Sequence, residues 1–203
     1  MNAPGDQHGI PLFPLHTVLF PQGLLPLRIF EPRYVDMVGA CLREDGAFGV
    51  VPILHGQEAG PTPSFHPHGT LARIEQWDQG SDGLLHLVAR GAQRFDVRNH
   101  VVQADGLVVA DIALRAEPAV VPAESAAGSL LGQLFTARPE FAPPRPWALD
   151  QPAWVAYRWA ELLALPTTDR LALLTLDDGG AMLTRVQAHL PHSGDAQGGS
   201  PVH

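Results

Sequence analysis

"PLFPLHTVLFPQGLLPLRIFEPRY", Pro11 to Tyr34, is among the most apolar stretches of the chain, yet prolines stand at positions 11, 14, 21, 26 and 32. A membrane helix needs about 20 apolar residues with unbroken backbone hydrogen bonding, and prolines at this density prevent that. A secretory signal needs a basic start and an uninterrupted apolar centre. Met1 to Gly9 carries no Lys or Arg, and prolines interrupt the apolar run after it. The stretch therefore reads as part of a soluble core. Short apolar runs between prolines suit edge strands and strand ends, where a missing N–H costs no ladder bond.

Before this stretch, the polar residues 1–9 are expected to be loose. Within it, extended pieces are expected over Ile10–Phe13 and Thr17–Phe20, and a strand over Leu24–Phe30. "EPRYVDMVGACLREDG" predicts a helix with Pro32 in its first turn, where a missing N–H does no harm. Tyr34, Met37, Val38, Cys41 and Leu42 form its apolar stripe, and Gly46 is the expected stop. Further strands are expected over Ala47–Leu54, Thr70–Gln79, Leu84–Gln103 and Leu107–Leu114. In the third of these, Phe95, Val97 and Val101 alternate with Arg94, Asp96 and Arg98, the pattern of a half-buried strand. Strands at this spacing with one inserted helix predict a compact, mostly antiparallel barrel or sandwich.

The pattern changes after Arg115. "AESAAGSLLGQLFTAR" predicts a helix, followed by a long proline-rich connection. "AWVAYRWAELLAL" predicts another, with Val155, Trp159, Leu162 and Leu163 on one face. Two shorter helices come next, one capped by Thr167 or Thr168 and one by Asp177 or Asp178. The expected fold class is α+β: a β-rich unit over 10–116, a helical bundle over 123–190, and flexible ends at 1–9 and 193–203.

Composition narrows the chemistry. All thirteen Lys+Arg residues are arginine, so the chain contains no lysine. Mechanisms that need an ε-amine, such as P-loop ATP hydrolysis, Ser-Lys proteolysis or Schiff-base chemistry, are excluded. A formal net charge of −8 argues against nucleic acid as the main partner. Cys41 is the single cysteine, which rules out an intrachain disulfide and favours a cytosolic setting. Its place on the helix stripe predicts a buried, inert thiol.

The ordered motifs resemble the Lon protease N-terminal, or substrate-binding, domain family. Leu12–Leu15, Val18–Pro21 and Leu25–Tyr34 are similar to that family's opening elements. "GTLARIEQW" (Gly69–Trp77) and "GAQRFDV" (Gly91–Val97) are similar to later ones, and the helical end is similar more loosely. The resemblance covers residues 10 to about 190. It implies a β-barrel of the pseudouridine-synthase-and-archaeosine-transglycosylase (PUA) type followed by a helical bundle. It also implies a stand-alone, non-catalytic polypeptide-binding module without the family's ATPase and protease units. Unfolded or target polypeptides, and a separate protease, are the implied partners in protein quality control.

Several residue groups are candidates for function. Glu31, Pro32, Arg33 and Tyr34 form the sharpest local motif. Arg33 either fixes the helix by pairing with Glu31 or a barrel carboxylate, or holds a ligand carboxylate or peptide carbonyl. Gly91, Arg94 and Phe95 belong to the structural motif. Phe20 or Leu24, if turned outward, would present an apolar patch, and Trp154 is expected to line a groove between the two units. Trp159 is expected in the core. His66 and His68, near His55 and His86, lack the ligand number and rigid frame of a metal site, so no metal and no cofactor are expected. Arg90, Arg94 and Arg98 on one strand face would suit a phosphate-tracking stripe, and RNA binding is the alternative they raise. No Gly-x-Ser-x-Gly, His-Glu-x-x-His or dinucleotide fingerprint occurs.

Overall fold

The structure, a computed structural model, describes residues 5–190; residues 1–4 and the tail expected at 193–203 lie outside the described residues. The strands are β1 (Asp6–Leu15), β2 (Leu24–Ile29), β3 (Phe48–His55), β4 (Ser64–Phe65), β5 (His68–Gln79), β6 (Leu85–Val102) and β7 (Val108–Leu114). Helix α1 (Pro32–Glu44) lies between β2 and β3 in sequence, and α2 (Ala126–Ala137), α3 (Pro152–Leu162), α4 (Thr167–Thr175) and α5 (Gly179–Gln187) come after β7.

The strands β1-β7-β6-β5-β3 neighbour one another in that order, and a parallel pairing of β3 with β1 closes them into a ring. Closure removes the open edges that a flat sheet would expose. β2 stands outside the ring, antiparallel to the first part of β6. β1 begins at Asp6 rather than Ile10, because Asp6 and Gln7 pair with Ala113 and Ile112 of β7. The register shifts between Gln7 and Ile10, where Gly9 takes a positive φ of 69°; the polar start is thus held as a bulged strand, at least from Asp6.

Four of the five ring strands, all but β7, serve two cores. Leu12, Val51, Leu71, Phe95, Val108, Ala110 and Ile112 come from all five ring strands and converge inside the ring. Phe13, Leu15, Phe48, Val50, Leu87 and Ala89 face the other way and pack on Tyr34, Met37, Val38 and Cys41 of α1. The ring interior is filled closely enough to require glycine: a Cβ on Gly69 would lie 2.6 Å from the Phe95 ring and 2.5 Å from the Val50 carbonyl oxygen. Leu42 is exposed and does not join the α1 stripe. The helix ends on Asp45, not Gly46, in the left-handed conformation, with the N–H groups of Asp45 and Gly46 both donating to the Cys41 carbonyl.

The 17–20 segment forms no strand; Thr17 is half-buried, and Val18, Leu19 and Phe20 are buried between barrel and bundle. Val18 and Phe20 enter the bundle core, while Leu19 enters the α1 core. The buried Thr70 hydroxyl donates to the Leu19 carbonyl at 2.7 Å, replacing a missing ladder bond. Helix α3 is the bundle's centre: every residue from Trp154 to Ala160 is buried, so the one-face reading of this helix is corrected. Ser125 caps α2 by accepting from the Gly128 N–H, and Asp178 caps α5 by accepting from the Ala181 N–H. At α4 the capping position is Pro166, and both threonines lie inside the helix.

Arg94 joins barrel to bundle. Its side chain is wholly buried, and its Nη1 donates to the carbonyls of Leu174 and Leu176 at 3.0 and 2.5 Å. Nη2 donates to the Ala116 carbonyl at 2.8 Å and to Asp177 at 3.2 Å. Asp177 also accepts from Arg115, which in turn donates to Asp96. Burial alone would raise the Asp96 carboxyl, but hydrogen bonds from His68 and Arg115, with their charge, outweigh it and hold it below its ordinary range. Phe95 and Arg94 point to opposite faces and both are buried, because the outer face of β6 meets the bundle instead of water.

Candidate functional site

β2 is the centre of the candidate site, because it borders three openings in the surface. "LLPLRI" forms a strand along one side of β6, from Leu24 opposite Arg90 to Ile29 opposite Leu85. The first opening is a trough of about 590 Å³ across β2, β6 and β5, lined by Pro26, Leu27, Trp77, Leu87 and Val88 with Arg28, Asp78 and His86 among them. Trp77 is 58% exposed, although burial of an indole of that size is normally favoured. In the Gly80–Gly83 turn that joins β5 to β6, Asp82 accepts from the Leu84 N–H and from Arg28, and bonds His86 at 3.1 Å. Those bonds, led by the backbone one, lower the Asp82 carboxyl to about 2, so it is charged at neutral pH.

The second opening, about 400 Å³, runs between β2 and the end of β1, under Tyr34 and beside Glu58. Its rim includes Phe30, which is 60% exposed. The third is the cleft between barrel and bundle, about 220 Å³, bounded by Gln22, Leu24, Phe135, Phe141, Arg158 and Glu161. Loss of hydration raises the Glu161 carboxyl to about 7, against the opposing charges of Arg158 and Arg170, even though 31% of its side chain meets solvent. Arg158 is buried and donates to Glu161 at 2.7 Å and to the Pro21 carbonyl at 2.9 Å.

The Pro21–Gly23 turn that starts β2 is held from both sides. The Gln22 N–H donates to the Gly91 carbonyl at 2.7 Å, and the Gly91 N–H donates to the Gly23 carbonyl at 2.8 Å. A Cβ on Gly91 would fall 2.1 Å from the Phe20 carbonyl oxygen, so only glycine permits this approach. From the bundle, Trp154 Nε1 donates to the Gln22 side chain at 3.1 Å.

The candidate residues separate accordingly. Phe20 is fully buried and stacks on Tyr157 with ring centroids 5.2 Å apart, so it presents no outward patch. Trp154 is buried beneath the turn rather than open to a groove. Arg33 is buried as well; it donates to Glu31 at 2.9 Å, to the Gly60 carbonyl at 2.8 Å and to the Gly106 carbonyl at 3.1 Å. Pro32 stands in the first turn of α1, and Tyr34 stacks on Phe13. Leu24 alone of the four proposed contacts is on the surface, 43% exposed. Trp77 was missed by motif reading. Its signal is a lone tryptophan in the polar run "EQWDQ" at the end of a strand, where no buried neighbour can be expected.

The arginine stripe is not present. Arg94 is buried against carbonyls and Arg90 is paired with Glu75, which leaves only Arg98 of the three, and one exposed arginine does not make a stripe. The structure gives the RNA alternative no basic track to rest on. His68 bonds Asp96 and His86 bonds Asp82, and no group of three or more His, Cys, Asp or Glu among the described residues is placed to hold a metal ion. No helix among the described residues is long and apolar enough to cross a membrane.

A closed ring with an inserted helix and a docked helical bundle defines a PUA-like domain with a helical extension. The chain belongs to the family of the ATP-dependent protease La (LON) substrate-binding domain, whose model matches residues 9–192. A Lon N-terminal domain protein from Xanthomonas campestris is similar in structure, with 38% identity and a TM-score of 0.73 over 90% of this chain and 99% of that one. The N-terminal domain of a Mycobacterium avium complex Lon protease shares the fold at 17% identity and a TM-score of 0.60, over 90% of this chain and 100% of that one. In sequence, Lon protease 2 of Myxococcus xanthus is 31% identical over 47% of this chain, and this chain spans 12% of its length. Protein cereblon of Danio rerio is 29% identical over 64% of this chain and 31% of its own length.

Proposed function

We propose that the chain is a non-catalytic, adaptor-like module that binds exposed apolar segments of unfolded or target polypeptides in the cytosol, alongside a separate protease. The observation that carries this reading is the Trp77 trough: an apolar opening with an exposed indole, on a domain of a substrate-binding family. An exposed aromatic anchor beside aliphatic walls is the arrangement that dominates binding energy at protein surfaces. Leu24, farther along β2, adds an exposed apolar side chain at the cleft between barrel and bundle. Phe20, Arg33 and Trp154 contribute by holding the turn and the helix that position β2. The absence of lysine is compatible with recognition without ATP hydrolysis or Ser-Lys proteolysis by this chain.

The test is a titration of a fluorescently labelled, permanently unfolded protein with the full chain, read by anisotropy. The reading expects saturation in the micromolar range, and weakening by about tenfold in Trp77→Ser with the melting temperature unchanged. Absence of binding in that range, or equal affinity of the Trp77→Ser chain, counts against it.

A further inference from the structure

We infer that the free edge of β2 receives the visiting polypeptide as an added β-strand, and that the segment it fits is an extended apolar one carrying lysine or arginine. This inference rests on the polypeptide-binding reading and specifies its geometry and partner chemistry.

β2 pairs with β6 and, among the described residues, with no other strand. Every residue from Pro26 to Glu31 lines the second opening. Consecutive strand residues point to opposite faces, so a cavity that touches all of them runs beside the strand's edge. The trough lies across the sheet on the other flank, and Pro26, Leu27 and Arg28 border both openings. A strand added at an open edge gains main-chain hydrogen bonds and sends alternate side chains to either face, where pockets select them. Here one opening lies along the edge and the other above the sheet.

Pro26 sets the phase of the edge. Inside a paired strand, proline turns its nitrogen away from the ladder. Pro26 therefore faces the open side together with Leu24 and Arg28, which share its phase. The edge offers the N–H groups of Leu24 and Arg28 and the carbonyls of Leu24, Pro26 and Arg28. One donor is missing at the centre, so the side-chain openings must supply much of the affinity.

Charge selects the visitor. Glu58 lines the edge opening and accepts the His16 backbone N–H at 2.6 Å, with no cation paired to it among the described residues. Glu31, on the same rim, shares its oxygen between Arg33 and the Gly60 N–H. Arg28 is already paired with Asp82 at 2.8 Å. The rim is left with unneutralised carboxylate, on a chain of formal charge −8, which favours a basic segment and repels an acidic one.

The experiment uses the full chain and fluorescein-labelled peptides of about nine residues, the length of a typical strand plus flanks. They alternate leucine and serine and end in either two lysines or two glutamates. The lysine peptide is expected to bind about tenfold more tightly than the glutamate peptide, and Glu58→Gln to remove most of that preference. Methylating the backbone nitrogens of one alternating phase should weaken binding about tenfold, with the other phase within about twofold, and the Leu24 and Arg28 amides should exchange more slowly when peptide is bound. Indifference to both methylation phases, with Leu24 and Arg28 exchange unchanged, overturns strand addition while polypeptide binding stands. If no peptide binds although an unfolded protein does, strand addition also falls; if neither binds, the functional reading falls with it. Protection of the same amides by self-association, without peptide, would assign the edge to a second copy and overturn the inference.

Discussion

Replacing Arg94 with methionine should loosen the bundle from the barrel, and the size of the effect can be worked from its contacts. Methionine keeps most of the apolar stem and removes the five N–H donors. Three backbone carbonyls, of Leu174, Leu176 and Ala116, then lose the guanidinium that satisfies them at the junction. At about 1 kcal/mol for each lost bond, the destabilisation is about 3 kcal/mol. The ion pairs add little, because the Asp177 and Glu117 side chains are 63% and 43% exposed and water screens them. With a urea slope of roughly 2 kcal/mol/M, the unfolding midpoint should fall by about 1.5 M. Asp177→Asn should cost no more than about 1 kcal/mol. In native-state hydrogen exchange, the amides of α4 and α5 should lose more protection than those inside the ring. The reasoning is refuted if Arg94→Met costs less than about 1 kcal/mol, or if Asp177→Asn costs as much as Arg94→Met.

Gly91→Ala would place a Cβ 2.1 Å from the Phe20 carbonyl oxygen and push apart the turn that begins β2. A loss of about 2–3 kcal/mol is expected in urea unfolding, and an unchanged midpoint would mean that the turn yields freely. Glu161 titrates near 7 when folded and near the ordinary glutamate range when unfolded, so the native state binds more protons between those values. Its stabilising contribution is full below about pH 4.5 and is lost as pH rises through about 7. Glu161→Gln abolishes this dependence, so the variant should gain about 1 kcal/mol relative to the native chain between pH 5 and 8, after discounting for solvent screening. A stability difference that is the same at both pH values would contradict this assignment.

The α1 helix, the strands around it and the split between barrel and bundle were legible because each has a local signature. Pro32 marks a helix start, and Tyr34, Met37, Val38 and Cys41 form a stripe at helical spacing. Closure of the ring had no such signature: the β1–β3 pairing joins residues nearly forty positions apart, and nothing within either strand specifies it. Alternation misled at Arg94, because polarity reports contact with water only when water covers that face, and the bundle covers this one. It failed again past Val97, where a register shift re-aims the strand and leaves Val101 and Val102 exposed. The apolar reading of Phe20 and Leu24 was sound as chemistry, but outward and inward directions are set by tertiary packing, which placed one on each side. Trp77 was visible as a residue and invisible as a site, since its neighbours in the trough come from two other strands.

Acrylamide quenching of tryptophan fluorescence, with and without a saturating, tryptophan-free unfolded protein, addresses the central claim most directly. Trp154 and Trp159 are buried and Trp147 is partly so, leaving Trp77 as the indole most open to the quencher. If the trough around β2 grips polypeptide, the readily quenched fraction should disappear as the complex forms and should be absent in Trp77→Phe. If the unfolded protein saturates the chain while the quenched fraction stays unchanged, the binding surface lies elsewhere and the account of this site is wrong.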